Sequence, residues 1–260
     1  MYDISQENVV QVWRTEVQPL VIVFSGIFQV AGIGPFDFLK ETGLEKSNLI
    51  YFKDYYRSGY RQGVSNQLPS LKTIIEWCKN KISEKKVEEI YVIGASSGVL
   101  PGFICAQECG AKKAWGFGPR PVKEGFFPPM SDQGSPFRGI VKLKIELNQI
   151  LAKILKRPAR DWFKKGQVDW KLVDEQLEIL CQVNDQARDY RIFYSPNNIA
   201  DKAVSRYLTN SPGITAHEVH LPEDYSGDWI TQPGWDHSVI QVMRLGKGLQ
   251  HYMYSESGVF

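Results

Sequence analysis

Three short apolar runs, Leu20-Val-Ile-Val-Phe24, Leu49-Ile-Tyr-Phe52 and Ile90-Tyr-Val-Ile93, constrain this chain more than any other feature. Each is rich in β-branched and aromatic side chains, is bounded by turn signals and lacks polar alternation. Successive strand side chains point to opposite faces, so a strand with no polar position is buried on both. Such strands predict an α/β architecture, a mostly parallel sheet covered by helices on both faces. Leu71, Ile74, Ile75, Cys78 and Ile82 keep a helical period within Leu68 to Glu84, with Pro69 and Ser70 near the start. A second helix is expected over Val99 to Cys109, with Gly110 as its stop. Ala114-Trp-Gly-Phe117 reads as a fourth strand. The sheet resumes at Arg191-Ile-Phe-Tyr194 and ends with Thr215 to Leu221. Helices are expected over Ala203 to Leu208 and Ser238 to Leu249.

The middle of the chain differs. Five prolines between Pro119 and Phe137 mark a long loop. Helical stripes follow over Val141 to Leu155 and Trp170 to Asn184, with no strand candidate between them. The expectation is one domain over residues 1–260, with a helical cap inserted over about 119–188.

Composition narrows the function classes. The 260 residues carry 31 Lys and Arg against 29 Asp and Glu, a balance that argues against a nucleic-acid-coating protein. No apolar run approaches the roughly 18 residues of a membrane helix. The first residues, Met1-Tyr-Asp-Ile-Ser-Gln-Glu-Asn8, lack the regions of a signal peptide, so a soluble cytoplasmic protein is expected. Four cysteines without a CxxC pair do not make a disulfide scaffold, and Cys105 and Cys109 read as core or surface positions. The chain has no HExxH word or Cys/His cluster, so no catalytic metal is expected. Gly26, Gly32 and Gly34 miss the GxGxxG spacing and no useful GK[ST] follows, so no nucleotide cofactor is expected either.

Gly94-Ala-Ser-Ser-Gly98 fits G-x-S-x-G and lies directly after a strand and before a helix. Small residues two positions either side let the turn close, so the Ser96 Oγ projects over the sheet edge at a helix N-terminus. A plain glycine-rich turn, of the kind that can cradle phosphate, is the competing reading. A nucleophilic serine needs a base, and the base an orienting acid. Of the four histidines, His217 and His220 belong to the last strand segment and His251 to the C-terminal stretch. His237 follows the polar loop Pro233-Gly-Trp-Asp236 and precedes an apolar helix, which suits a mobile imidazole. Asp201, after the strand ending at Tyr194, is favoured as the acid over Asp224, Asp228 and Asp236; its competing role is a helix N-cap.

The order Ser96, Asp201, His237, the elbow after a strand and the helical insertion before the acid-bearing strand together resemble the α/β-hydrolase superfamily, from about Val21 to Tyr252. The resemblance implies an oxyanion hole made by the Ser97 amide and by an amide of the Gly26-Ile27 loop. That loop lacks the HGGG run of one carboxylesterase subgroup. In the segment Tyr51 to Gly63, Asp54 would be a turn former, while Arg57 and Tyr60, with Trp235 beside His237, would contact substrate. The implied activity is a cofactor-free serine hydrolase that cleaves a small-molecule ester or thioester through an acyl-enzyme. The alternatives are an acyltransferase or cyclase with the same residues, or a non-catalytic binding protein on the fold. Between Pro119 and Gly166, 11 Lys and Arg face four Asp and Glu, a bias that suits an acidic carrier protein or, equally, a solvated helix face.

Overall fold

The structure is a computed structural model that describes residues 2–6, 8–14, 18–26, 39–40, 42–121, 168–182, 188–196, 198–220 and 253–254. Its strands are β1 (Tyr2–Gln6), β2 (Val9–Val12), β3 (Leu20–Phe24), β4 (Asn48–Phe52), β5 (Ile90–Ala95), β6 (Lys113–Phe117), β7 (Asp189–Tyr194) and β8 (Ile214–Glu218). The helices are α1 (Leu71–Glu84), α2 (Val99–Glu108), α3 (Trp170–Cys181) and α4 (Ile199–Leu208).

All eight strands form one sheet in the order β1-β2-β4-β3-β5-β6-β7-β8. Only β2 runs against the others, pairing antiparallel with both β1 and β4. This order, with one reversed strand near an edge, is that of the α/β-hydrolase fold. The β1–β2 pair was not expected: its residues are short, polar-interrupted runs, and a four-residue strand such as Val9-Val-Gln-Val12 carries little periodic signal.

The missing polar alternation has the anticipated cause. Leu20, Ile22 and Phe24 of β3 pack in one core cluster, while Val21 and Val23 pack in a second cluster on the opposite face. Strand β4 divides likewise, Ile50 and Phe52 against Leu49 and Tyr51. The apolar stripes of all four described helices join the first cluster. On the second face, Leu39, Leu44, Val219 and Met253 cover the sheet among the described residues. The closing helix expected over Ser238 to Leu249 lies outside them.

Two helix starts differ from expectation. Helix α1 begins at Leu71 rather than Leu68, because Ser70 caps it in a capping box with Thr73, and the Leu68 carbonyl accepts from Val64 N–H. Helix α4 begins at Ile199 rather than Ala203, because the Asn198 side chain accepts the Asp201 N–H as its cap. Helix α2 ends as expected, with Gly110 at φ 71°. Helix α3 falls in the stretch expected to form the cap, yet Val173, Leu177 and Leu180 pack in the same cluster as α2. It packs with α2 in that cluster, and the rest of the expected cap, residues 122–167 and 183–187, lies outside the described residues.

The crossovers position the site. From β3 the chain goes to β4 on one side, then returns past β3 to β5 on the other. Connections therefore diverge at the carboxyl ends of β3 and β5, the crevice where open α/β sheets bind ligands. The loop bearing Gly26 leaves one of these ends, and Ser96 leaves the other.

Candidate active site

Ser96 sits at φ 54°, a left-handed conformation that costs a side-chain-bearing residue of order 1 kcal/mol or more. Strand β5 stops at Ala95, Ser96–Gly98 form a single 3-10 turn, and α2 begins at Val99. The glycines explain how the chain turns so sharply. A Cβ on Gly94 would lie 2.6 Å from both the Gly98 oxygen and the Val99 Cα, and one on Gly98 only 2.3 Å from the Phe24 oxygen. The spacing in G-x-S-x-G thus reflects two steric limits, one within the turn and one against the end of β3.

Gly26 meets the turn from β3. A Cβ there would stand 2.7 Å from the Ser96 Cβ and 3.1 Å from the Ala95 oxygen, so the loop after β3 passes directly beside the serine. Ile27, its partner in the expected oxyanion hole, lies outside the described residues. Ser97 is buried under the turn and its hydroxyl donates to Asp54 Oδ2 at 3.4 Å.

Asp54 is a turn former, as anticipated. Its Oδ1 accepts from Ser58 N–H (3.1 Å) and its Oδ2 from Gly59 N–H (2.9 Å). These bonds hold a turn in which Arg57, Gly59, Tyr60 and Gly63 all have positive φ. Burial pushes the Asp54 carboxyl above the ordinary carboxylate range, opposed by the backbone bonds from Gly59, Ser58 and Tyr60 and by the Ser97 hydroxyl.

Two of the three expected substrate contacts, Tyr60 and Arg57, are described, and both are buried. Tyr60 is fully buried, packs edge-on to Phe24, and donates its hydroxyl to the Ser25 and Phe52 carbonyls. It belongs to the core rather than to a pocket rim. Arg57 is buried as well, with 2% exposure. Trp235 and His237 lie outside the described residues, as do His251, Asp224, Asp228 and Asp236. His217 stacks on Phe193 and His220 lies 3.8 Å from Glu218, both at the edge strand and its end.

Asp201 is completely buried in the first turn of α4. Its Oδ1 accepts from Arg120 Nε (2.9 Å) and pairs with Nη2 at 2.8 Å. Arg120 also donates from Nη2 to Asn198 Oδ1 at 2.7 Å. The Arg120 backbone N–H donates to the Ser96 carbonyl at 3.1 Å. Neither Arg120 nor Asn198 was anticipated. Pro119-Arg-Pro121 reads as loop, and only an arginine flanked by prolines just after a strand end hinted at a fixed side chain. Cys105 in α2 and Cys109 at its C-cap face each other with 3.8 Å between their sulfurs. Among the described residues no group of three or more His, Cys, Asp or Glu is placed to hold a metal ion, and no helix is long and apolar enough to cross a membrane.

No family model matches the chain, and no curated protein matches it. Solved structures are similar at low identity. A predicted CIB-like hydrolase from Thermoplasma acidophilum aligns at 12% identity over 91% of each chain with a TM-score of 0.45. A hydrolase from Oleispira antarctica aligns at 16% identity over 84% of this chain and 88% of its own, TM-score 0.44. The capsule O-acetyltransferase of Neisseria meningitidis serogroup A aligns at 11% identity over 82% of this chain and 83% of its own, TM-score 0.46. The strand order, rather than these likenesses, identifies the fold.

Proposed function

We propose that the chain is a serine hydrolase acting on a small-molecule ester or thioester, with Ser96 as nucleophile. The observation that carries this reading is the left-handed Ser96 on a strand-to-helix turn at the sheet's divergence point, with Gly26 against it. A serine with no special task would not be held in that conformation when glycine is available.

In this reading His237 takes the Ser96 Oγ proton as Oγ bonds to the acyl carbon, and Asp201 orients the imidazole. The resulting oxyanion is met by the Ser97 amide and by an amide of the Gly26-Ile27 loop, each donor worth about 3–4 kcal/mol in the transition state. The carbonyl re-forms as the carbon–oxygen or carbon–sulfur bond breaks, and the leaving group takes the proton from His237. Water then repeats the sequence, returning Ser96 and releasing the acid. None of these steps requires a cofactor.

Intact-mass spectrometry after exposure to a fluorophosphonate tests the reading without knowledge of the substrate. A single adduct that maps to Ser96 and is lost in Ser96→Ala is the expected result. No adduct, or one retained in Ser96→Ala, would overturn it.

A further inference from the structure

We infer that Arg120 is a positioning residue that sets the distance between the nucleophile turn and the acid, an inference that rests on the serine-hydrolase reading. Arg120 follows β6, whose neighbours in the sheet are β5, which leads to Ser96, and β7, which leads to Asp201. It bonds to both. Its main chain donates to the Ser96 carbonyl, its guanidinium Nε donates to Asp201 Oδ1, and Nη2 forms an ion pair with that oxygen while donating to Asn198 Oδ1. Asn198 Oδ1 in turn accepts the Asp201 N–H at 3.0 Å, so one amide oxygen ties the guanidinium to the helix turn that carries the acid.

These groups are not surface contacts. Arg120 is 2% exposed, Asn198 3% and Asp201 0%. A buried guanidinium and carboxylate each depend on the other to offset desolvation, which makes their geometry stiff. The segment holding Arg120 is fixed as well, since Gly118 N–H donates to the Phe193 oxygen (2.8 Å) and Asp169 N–H to the Pro121 oxygen (3.2 Å). A catalytic constellation tolerates errors of only about 0.5 Å, and an imidazole must reach serine and carboxylate at once. Arg120 supplies a short link between them that does not pass through the imidazole.

The test is a double-mutant cycle on the full chain with Arg120→Lys, Asp201→Asn and the pair, read by p-nitrophenyl acetate turnover and by the fluorophosphonate labelling rate at Ser96. Lysine keeps the charge and the main-chain bond but cannot reproduce the fork of two donors. Arg120→Lys is expected to lower kcat at least about tenfold with KM within about twofold, and to add less than about twofold in the Asp201→Asn background. Unchanged kcat with a lowered melting temperature would reduce Arg120 to a structural ion pair, and losses that multiply would show that it does not act through Asp201. If Arg120→Lys does not fold, Asn198→Ser substitutes: serine still caps α4, but is too short for the guanidinium. A kcat lowered at least about threefold at constant KM then supports the inference, and wild-type kcat overturns it. Absence of wild-type labelling at Ser96 would instead sink the underlying serine-hydrolase reading.

Discussion

A Cβ built on Gly26 would stand 2.7 Å from the Cβ of Ser96, closer than two such carbons ever approach. The residues are 70 positions apart, and their contact joins the end of β3 to the turn after β5. Gly26→Ala should therefore displace the serine. The fluorophosphonate labelling rate is expected to fall at least about tenfold while the fold survives, as misplacement by about 1 Å costs that or more. Wild-type labelling would show that the loop yields without moving Ser96.

The turn's own glycines should report on stability. On Gly98 an added methyl would meet the Phe24 oxygen at 2.3 Å, and on Gly94 the Gly98 oxygen at 2.6 Å, backbone that has little room to shift. Gly98→Ala and Gly94→Ala should each cost about 2–4 kcal/mol of unfolding free energy in urea titrations. Gly110→Ala meets nothing within 4 Å, so only its left-handed φ of 71° is penalised. It should cost about 1 kcal/mol.

If Ser96 and His237 work as one unit, replacing either by alanine should lower kcat at least about 10³-fold, and the double variant should lose little more. The kcat/KM profile should rise with pH through an apparent pKa of about 6–7, since only neutral imidazole accepts the serine proton. Additive losses would break the assignment of His237.

Asp54 predicts a pH dependence of stability. Burial raises its folded pKa above the unfolded value, so between the two the native state holds the extra proton. Its contribution to stability is greatest below the unfolded pKa and falls as pH rises through the folded one. Asn does not titrate, so the stability of wild type minus that of Asp54→Asn should shrink as pH rises from the unfolded carboxylate pKa through the raised folded one. Urea midpoints at several pH values measure it; a difference that grows with pH would mean the backbone donors outweigh burial.

The basic excess between Pro119 and Gly166 gives a kinetic prediction. If it steers an anionic donor such as an acyl thioester on an acidic carrier, kcat/KM for anionic esters should fall with salt while neutral esters stay flat, since screening acts over about 8–10 Å. Equal, flat responses would leave the basic run as solvated surface.

What the sequence determined by itself is what neighbouring residues impose on one another. Leu20 to Phe24 has no polar position, and that alone requires a strand covered on both faces. Gly94 and Gly98 flank Ser96 because the turn between them would otherwise collide with itself and with β3, so its identity was readable from five letters. Ser70 and Gly110 bound their helices through bonds within a few residues of themselves. The rest was decided by segments that meet only after folding. Asp201 read as an acid after β7 or as a helix N-cap, yet it lies inside the first helix turn, capped by Asn198 and against an arginine 81 positions earlier. Tyr60 read as a pocket residue, but the carbonyl ends of β3 and β4 draw its hydroxyl into the core. The β1–β2 hairpin owes its place to pairing with β4 rather than to its own apolar pattern. Periodicity records which face of an element is buried, because burial acts on each side chain along the element. It carries nothing about which distant element supplies the partner, and that choice belongs to the packed structure.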